Sequence, residues 1–380
     1  MEKARLGPLQ LFVLMFLFEL GTTVVVPLGL DAKKDAWLSI LLAMLCGFVP
    51  LLVYVALYRR YPALPLTGYA RQILGNIIGW PIGFCYVLFF VYGAARDLRD
   101  VGNLLYNAVY DLTPIFILNA LMILGTAYVM AKGIEVLART GEVFFFVIIL
   151  LGTVGNLLVQ FSGIVSIDNL LPVLENGWGP VVKTALFRNF MSPFGEVICF
   201  AMLFPYLQNV KGVLRAGMAS MLLGGLALCL TISVEIATLG ADIARRSTFP
   251  LLTTISKVDI ANFLQRLDAI VVFTLIITVF FKVAIYYYAA VVGTADLFRE
   301  HDHRKLVIPI GIVILFMSIM IAGSFSEHIQ EGKFAVRTVY FVFALIIPLV
   351  LLVLSFWRKR SPSRGTPTEE PVRSDTQTTP

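Results

Sequence analysis

The stretch from Phe187 to Pro205, Phe-Arg-Asn-Phe-Met-Ser-Pro-Phe-Gly-Glu-Val-Ile-Cys-Phe-Ala-Met-Leu-Phe-Pro, reads as a membrane span with a fault in its middle. Apolar residues flank it, yet Ser192, Pro193, Gly195 and Glu196 meet at mid-bilayer depth. Proline removes a backbone donor and glycine weakens a helix. Backbone groups freed in lipid find no water, so such a break persists only where it faces protein or a wet cavity. Alone, the stretch fits a plain proline kink between packed helices. A second break in a matching position favours a binding site instead, because paired interruptions mark the substrate site of broken-helix transporters. Gly21-Thr22-Thr23 supplies that second break.

Composition sets the class. The 380 residues are 58% hydrophobic and 14% charged, with a mean hydropathy of +0.86. Apolar runs near the ~20 residues needed to cross a bilayer recur throughout, so the chain is an all-α polytopic membrane protein. Its net charge of +6 comes from basic residues at the ends of spans. These are orientation signals and not a nucleic-acid footprint. Cys46, Cys85, Cys199 and Cys229 lie in apolar segments without metal-ligand spacing, and His301, His303 and His328 fall in loops. With no nucleophile–base pair either, the expectation is no metal, no cofactor and no enzyme. The N-terminal apolar run lacks a small-residue cleavage site and reads as the first span rather than a signal peptide.

Ten spans are expected. The first runs from about Leu6 to Leu30 across its break, followed by Ala36–Tyr58, Trp80–Ala108, Pro114–Ala131 and Glu142–Gln160. The opening stretch, starting near Pro180, is the sixth; Val213–Leu239, Leu267–Val292, Leu306–Gly323 and Val336–Trp357 complete the set. Between Pro65 and Gly79 an amphipathic helix should lie at the cytoplasmic surface. Lysine and arginine are in excess on the side of both termini, which places those in the cytoplasm. Breaks in spans one and six, five spans apart, imply two inverted five-helix repeats, residues 1–160 and 161–357. The Pro-, Thr- and Glu-rich residues 358–380 read as a disordered cytoplasmic tail.

At the first break, Gly21, Thr22 and Thr23 free N–H groups at the start of a half-helix, which suits a carboxylate. Carbonyls left at the end of the preceding half suit an ammonium, and together they favour an amino-acid-like zwitterion. In span six, Ser192 is placed as an N-cap with Pro193 after it and Glu196 in the first turn. Span three carries Arg96, Asp97, Arg99 and Asp100 within the bilayer, where an unpaired charge costs at least ~2.5 kcal/mol. Tyr92, Arg96, Asn103 and Asn107 share one stripe, and Arg96 and Asp100 are spaced for an ion pair. That cluster serves either as a gate or as a self-neutralised tie between helices. Glu19, before the first break, is a partner for one of these arginines. Lys282, mid-span eight and four residues from Thr278, reads as a fixed cation filling the place that sodium takes in ion-coupled transporters. The loop 240–265 offers a short helical hairpin, as a lid or as packing.

The segments Asp35-Ala36-Trp37-Leu38-Ser39, Ser192-Pro193-Phe194-Gly195-Glu196 and Phe249-Pro250, followed by Phe263-Leu264-Gln265-Arg266-Leu267-Asp268, resemble the B subunit of endospore germinant receptors, the spore-germination branch of the amino acid–polyamine–organocation permeases. The resemblance covers nearly the whole chain up to the tail. It implies a LeuT-like fold, a small nutrient ligand such as an amino acid, partner A and C subunits, and the inner membrane of the spore. It also implies a pocket lined by spans one, three, six, eight and ten. By position these bring Gly21, Thr22, Tyr92, Phe190, Phe194, Thr278 and Phe341 around the ligand. A sensor and a proton-coupled or ion-independent amino acid transporter would share that site; the resemblance favours the sensor.

Overall fold

The computed structural model describes residues 5–207, 210–258 and 267–357. Regular structure in these residues is helical. The helices are α1 (Pro8–Leu20), α2 (Ala36–Arg60), α3 (Leu66–Leu74), α4 (Asn76–Ala108), α5 (Ile115–Lys132), α6 (Ile134–Phe161), α7 (Trp178–Thr184), α8 (Val210–Leu239), α9 (Ala241–Arg246), α10 (Pro250–Ser256), α11 (Asp268–Phe298), α12 (Arg304–Met320), α13 (Phe325–Ala335) and α14 (Ile347–Ser355). Among the described residues, seven helical stretches are long and apolar enough to cross a membrane, the last of them running Phe325–Ser355 through α13 and α14. The first and sixth spans are broken, and α12, at 17 residues, is the short ninth.

Spans three and eight form the central pillar. From Phe281 to Gly293, α11 is buried on every side, as a helix apolar all round must be. It packs along α4, where Gly93 lies against the ring of Tyr286. No water drives helices together in a bilayer, so close van der Waals contact through small residues does that work. On α8, Gly217, Gly224 and Gly225 serve this purpose, facing Leu51, Glu19 and Met44.

Several expectations shift. Span ten starts at Phe325 rather than Val336, because α13 is a polar first third that no hydropathy rule selects. The helix Leu66–Leu74 exists, but Leu66, Tyr69 and Ala70 are buried against the bundle, and Arg71 pairs with Asp296 at 2.7 Å. It is part of the packed core rather than a surface float. From the loop after span seven, α10 packs on α8 and α11, while the second arm expected at Ile260–Leu264 lies outside the described residues, as does the tail 358–380.

Candidate functional site

The first break begins where α1 stops at Leu20. Gly21 takes φ +32° and ψ −130°, a conformation that glycine adopts without a side-chain penalty. Its carbonyl is not free: the Thr278 hydroxyl donates to it at 2.8 Å. No helix follows; residues 21–25 form turns, in which Val25 and Val26 donate to the Thr22 carbonyl. Among the described residues the N–H groups of Thr22 and Thr23 make no backbone hydrogen bond. So the donors expected for an anion are present, while the carbonyl expected for an ammonium is taken by span eight.

The second break spans Phe190 to Pro193, after α7 and a π-helical turn at Ala185–Asn189. A 3₁₀ helix, Phe194–Met202, completes the span. Ser192 is not its N-cap. Gly195 N–H donates to Phe190 O at 3.0 Å and Glu196 N–H to Pro193 O at 3.1 Å, so the local chain already supplies these acceptors. The Ser192 side chain is left to line the space between the breaks.

That space is a cleft of about 130 Å³. Thr22, Thr23, Ser192 and Glu196 line it from the breaks, Arg96, Asp97 and Asp100 from span three, and Lys282 from span eight. Arg188 and Lys333 stand on its wall in the half of the bundle remote from the termini, and Val26, Leu28, Ile329 and Tyr340 give it an apolar side. At its floor Lys282 Nζ lies 2.5 Å from Glu196 Oε2 and 3.6 Å from Asp97 Oδ1, with the Thr22 hydroxyl donating to the same Asp97 oxygen at 3.1 Å. Lys282 Nζ also sits 5.5 Å over the Phe18 ring. Beneath it Phe18 packs on Phe200 and Tyr286, with centroids 5.3 and 5.2 Å apart, which closes the cleft towards the termini.

Above the floor, the span-three charges do not neutralise one another. Arg96 and Tyr92 both bond the Glu331 carboxylate, and Asp100 Oδ1 lies 2.8 Å from His328 Nε2. Each reaches across to α13, so this helix is a cover pinned on span three. His328 is therefore buried on a helix, not placed in a loop. Arg188 and Asp31 make a further clasp at 2.6 Å. We expect Glu331→Ala, which frees both Arg96 and Tyr92, to raise the rate of thiol labelling at a Ser192→Cys reporter by about tenfold, the effect of ~1.4 kcal/mol.

The remaining expected residues fall elsewhere. Phe194 is buried against Gly47 of α2, Gly195 against Met191 and Ala344, and Phe190 is buried without lining the cleft. Thr278 serves the Gly21 carbonyl, and Tyr92 reaches the cover. Phe341 is 38% exposed and turned off the cleft; Tyr340 occupies that wall. Two π-helical turns, Val336–Tyr340 and Val342–Ile346, add residues to span ten and defeat a count at 3.6 per turn. Asn103 and Asn107 bond their own helix. Glu19 faces α8 and pairs with no arginine among the described residues. Arg188, Glu331 and Lys333 were the residues missed, and Asp97, named only within the span-three cluster, belongs to the cleft floor.

A model of the spore germination protein family matches residues 5–326. Spore germination protein KB of Bacillus subtilis (strain 168) is 42% identical over 368 residues, covering 96% of this chain and 99% of that protein. Spore germination protein XB of Bacillus anthracis is 23% identical over 268 residues, covering 69% and 72%. Among solved structures, MhsT in complex with L-phenylalanine is similar with a TM-score of 0.64 at 11% identity, covering 94% of this chain and 99% of that one. Mhp1, a nucleobase-cation-symport-1 family transporter in a closed conformation with bromovinylhydantoin bound, gives a TM-score of 0.61 at 14% identity, covering 94% and 84%. Both are LeuT-fold transporters, so the multi-pass fold is of LeuT type, with helices one and six broken.

Proposed function

The chain belongs to the spore germination protein family, and from that premise we propose that it is the membrane subunit of a spore germinant receptor. It binds a small nutrient, an amino acid, in the cleft between the two breaks, and passes a conformational change to A and C partner subunits. It resides in the inner membrane of the spore with both termini in the cytoplasm, and it senses rather than catalyses. Two inverted five-helix units, 1–160 and 161–357, frame the site.

One observation carries this reading: the cleft holds uncompensated groups of both signs. Asp97 and Glu196 share the single ammonium of Lys282, which leaves one formal negative charge for a ligand ammonium or a proton. Lys333 lines the wall without an ion pair among the described residues, and Thr22 and Thr23 offer free N–H groups to a carboxylate. A zwitterion answers both demands. Binding shifts the bundle only by its differential affinity for two states, and the cover α13, held through side chains of span three, is an element such a shift would move.

The LeuT-type fold favours a second reading, an amino acid transporter that is proton-coupled or ion-independent. Purified protein in liposomes separates the two. The receptor reading expects saturable binding of a labelled amino acid without accumulation, and concentrative uptake overturns it. Because Lys282 already supplies a cation at the breaks, binding should be equal in sodium and in choline buffers. Sodium dependence in the wild type would contradict that role.

A further inference from the structure

Glu19, in the last turn of α1, has a carboxyl with no cation in contact among the described residues. The residue is fully buried, and among the described residues both carboxylate oxygens lack a hydrogen-bond partner. It does not line the cleft. Its side chain turns to span seven, where Oε2 occupies the room left by Gly224; a Cβ there would come within 2.4 Å. The elements packed on α1 bring few charges to it. Span eight contributes Lys282, the 3₁₀ half of span six contributes Glu196, and α8 carries Glu235 three turns beyond Gly224. On α6, Gly141 meets α1 at Val13 and Leu14, below Glu19, and Glu135 holds the Arg5 amide. Lys282 is engaged by Glu196 and Asp97.

We propose that Glu19 is a proton-binding site: in this conformation its carboxyl carries a proton, and loss of that proton drives span one away from span seven. Three carboxylates near one ammonium cannot all stay ionised in a low-dielectric interior. Asp97 has the Thr22 hydroxyl and Lys282, and Glu196 has Lys282, whereas Glu19 has neither a cation in contact nor a donor. The proton therefore rests on Glu19. Once ionised, the carboxylate must reach Lys282 or water, and either move displaces Leu20 and Gly21 at the break. The sign follows directly. A group protonated in the folded, closed state stabilises that state at low pH, and the contribution is lost as pH rises.

Infrared spectra of the purified protein in liposomes, in H2O and D2O, read this directly. A deuterium-sensitive carboxylic-acid carbonyl component is expected in the wild type, lost in Glu19→Gln and kept in Glu235→Gln, since the buried Glu235 adds a component of its own. The fall of Tm with rising pH should flatten in Glu19→Gln. A wild type without the band, or a band unchanged in Glu19→Gln, overturns the proposal. So does stabilisation by sodium or potassium that vanishes in Glu19→Gln, which would make this a metal-cation site. If Glu19→Gln does not assemble, Gly224→Ala crowds the same oxygen and should shift the band; an unmoved band counts against the proposal.

Discussion

Lys282→Met should lower Tm by about 6 °C and abolish ligand binding, the largest single effect expected in this protein. Lys282 is buried, and so are both of its partners. Removing one member of a buried pair leaves the other as an uncompensated charge, at a cost of about 3–5 kcal/mol. Here two carboxylates lose their one cation, which places the effect at the upper end. Methionine keeps the length and apolar stem of lysine, so packing against Phe18 is largely preserved and the loss reads the charge. Glu196→Gln in the same chain should recover part of the stability, and adding Asp97→Asn should recover more. The first of these keeps one carboxylate, Asp97, and should regain part of the binding, whereas the second has no negative charge left for the ligand and binding should stay lost. Thermal unfolding of the four proteins in one detergent checks this; a Tm unmoved by Lys282→Met would show that the carboxylates are not ionised around it.

Gly21→Leu comes second. Its φ of +32° penalises any L side chain, and a Cβ would stand 2.3 Å from Lys282 Cδ and 2.9 Å from Phe18 O. The backbone term is about 1–3 kcal/mol. The clash adds displacement of Lys282 from Glu196, which disables the cleft floor without touching a ligand. Because of the contact with Lys282, stability falls together with ligand binding. Gly163→Ala isolates the two contributions. Gly163 also has positive φ, at +69°, but a Cβ there meets nothing within 4 Å. Its loss should be confined to the backbone term, and binding should persist. Equal effects at both positions, measured as Tm and ligand affinity, would remove Lys282 from the explanation.

What the sequence shows about this fold rests on rules that bilayer physics enforces strictly. A break at Gly21 or at Ser192–Pro193 is visible because the hydrocarbon region permits irregular backbone so rarely. The polar first third of span ten, Phe325 to Ala335, is hidden for the complementary reason. A segment that covers a polar cleft must itself be polar, so Ser324, Glu327, His328 and Glu331 look like a loop. With it were hidden the true partners of Arg96 and Asp100. Their i,i+4 spacing suggested a local pair, yet an arginine and an aspartate on one helix can each do better by bonding another element, as they do with Glu331 and His328. Asp97 was obscured by the stripe drawn through Tyr92, Arg96 and Asn103. The available signal was Gly93, one turn earlier on the same face, which marks where span eight comes close. Phe341 was misplaced because π turns leave no trace in hydropathy.

The central claim is that a small zwitterion sits between the breaks, its ammonium at Asp97 and Glu196 and its carboxylate at Thr22, Thr23 and Lys333. Lys333 is the residue to probe, because it lines the cleft and holds no ion pair among the described residues, so its loss should spare the fold. The deciding measurement is equilibrium binding of a panel of labelled amino acids to wild type and to Lys333→Ala at matched Tm. The account predicts an amino acid that binds the wild type and loses about tenfold or more in affinity in the variant, which is the ~1.4 kcal/mol or more of a charge-assisted contact. An amino acid that binds both proteins equally, or no binding to a folded wild type, would contradict it.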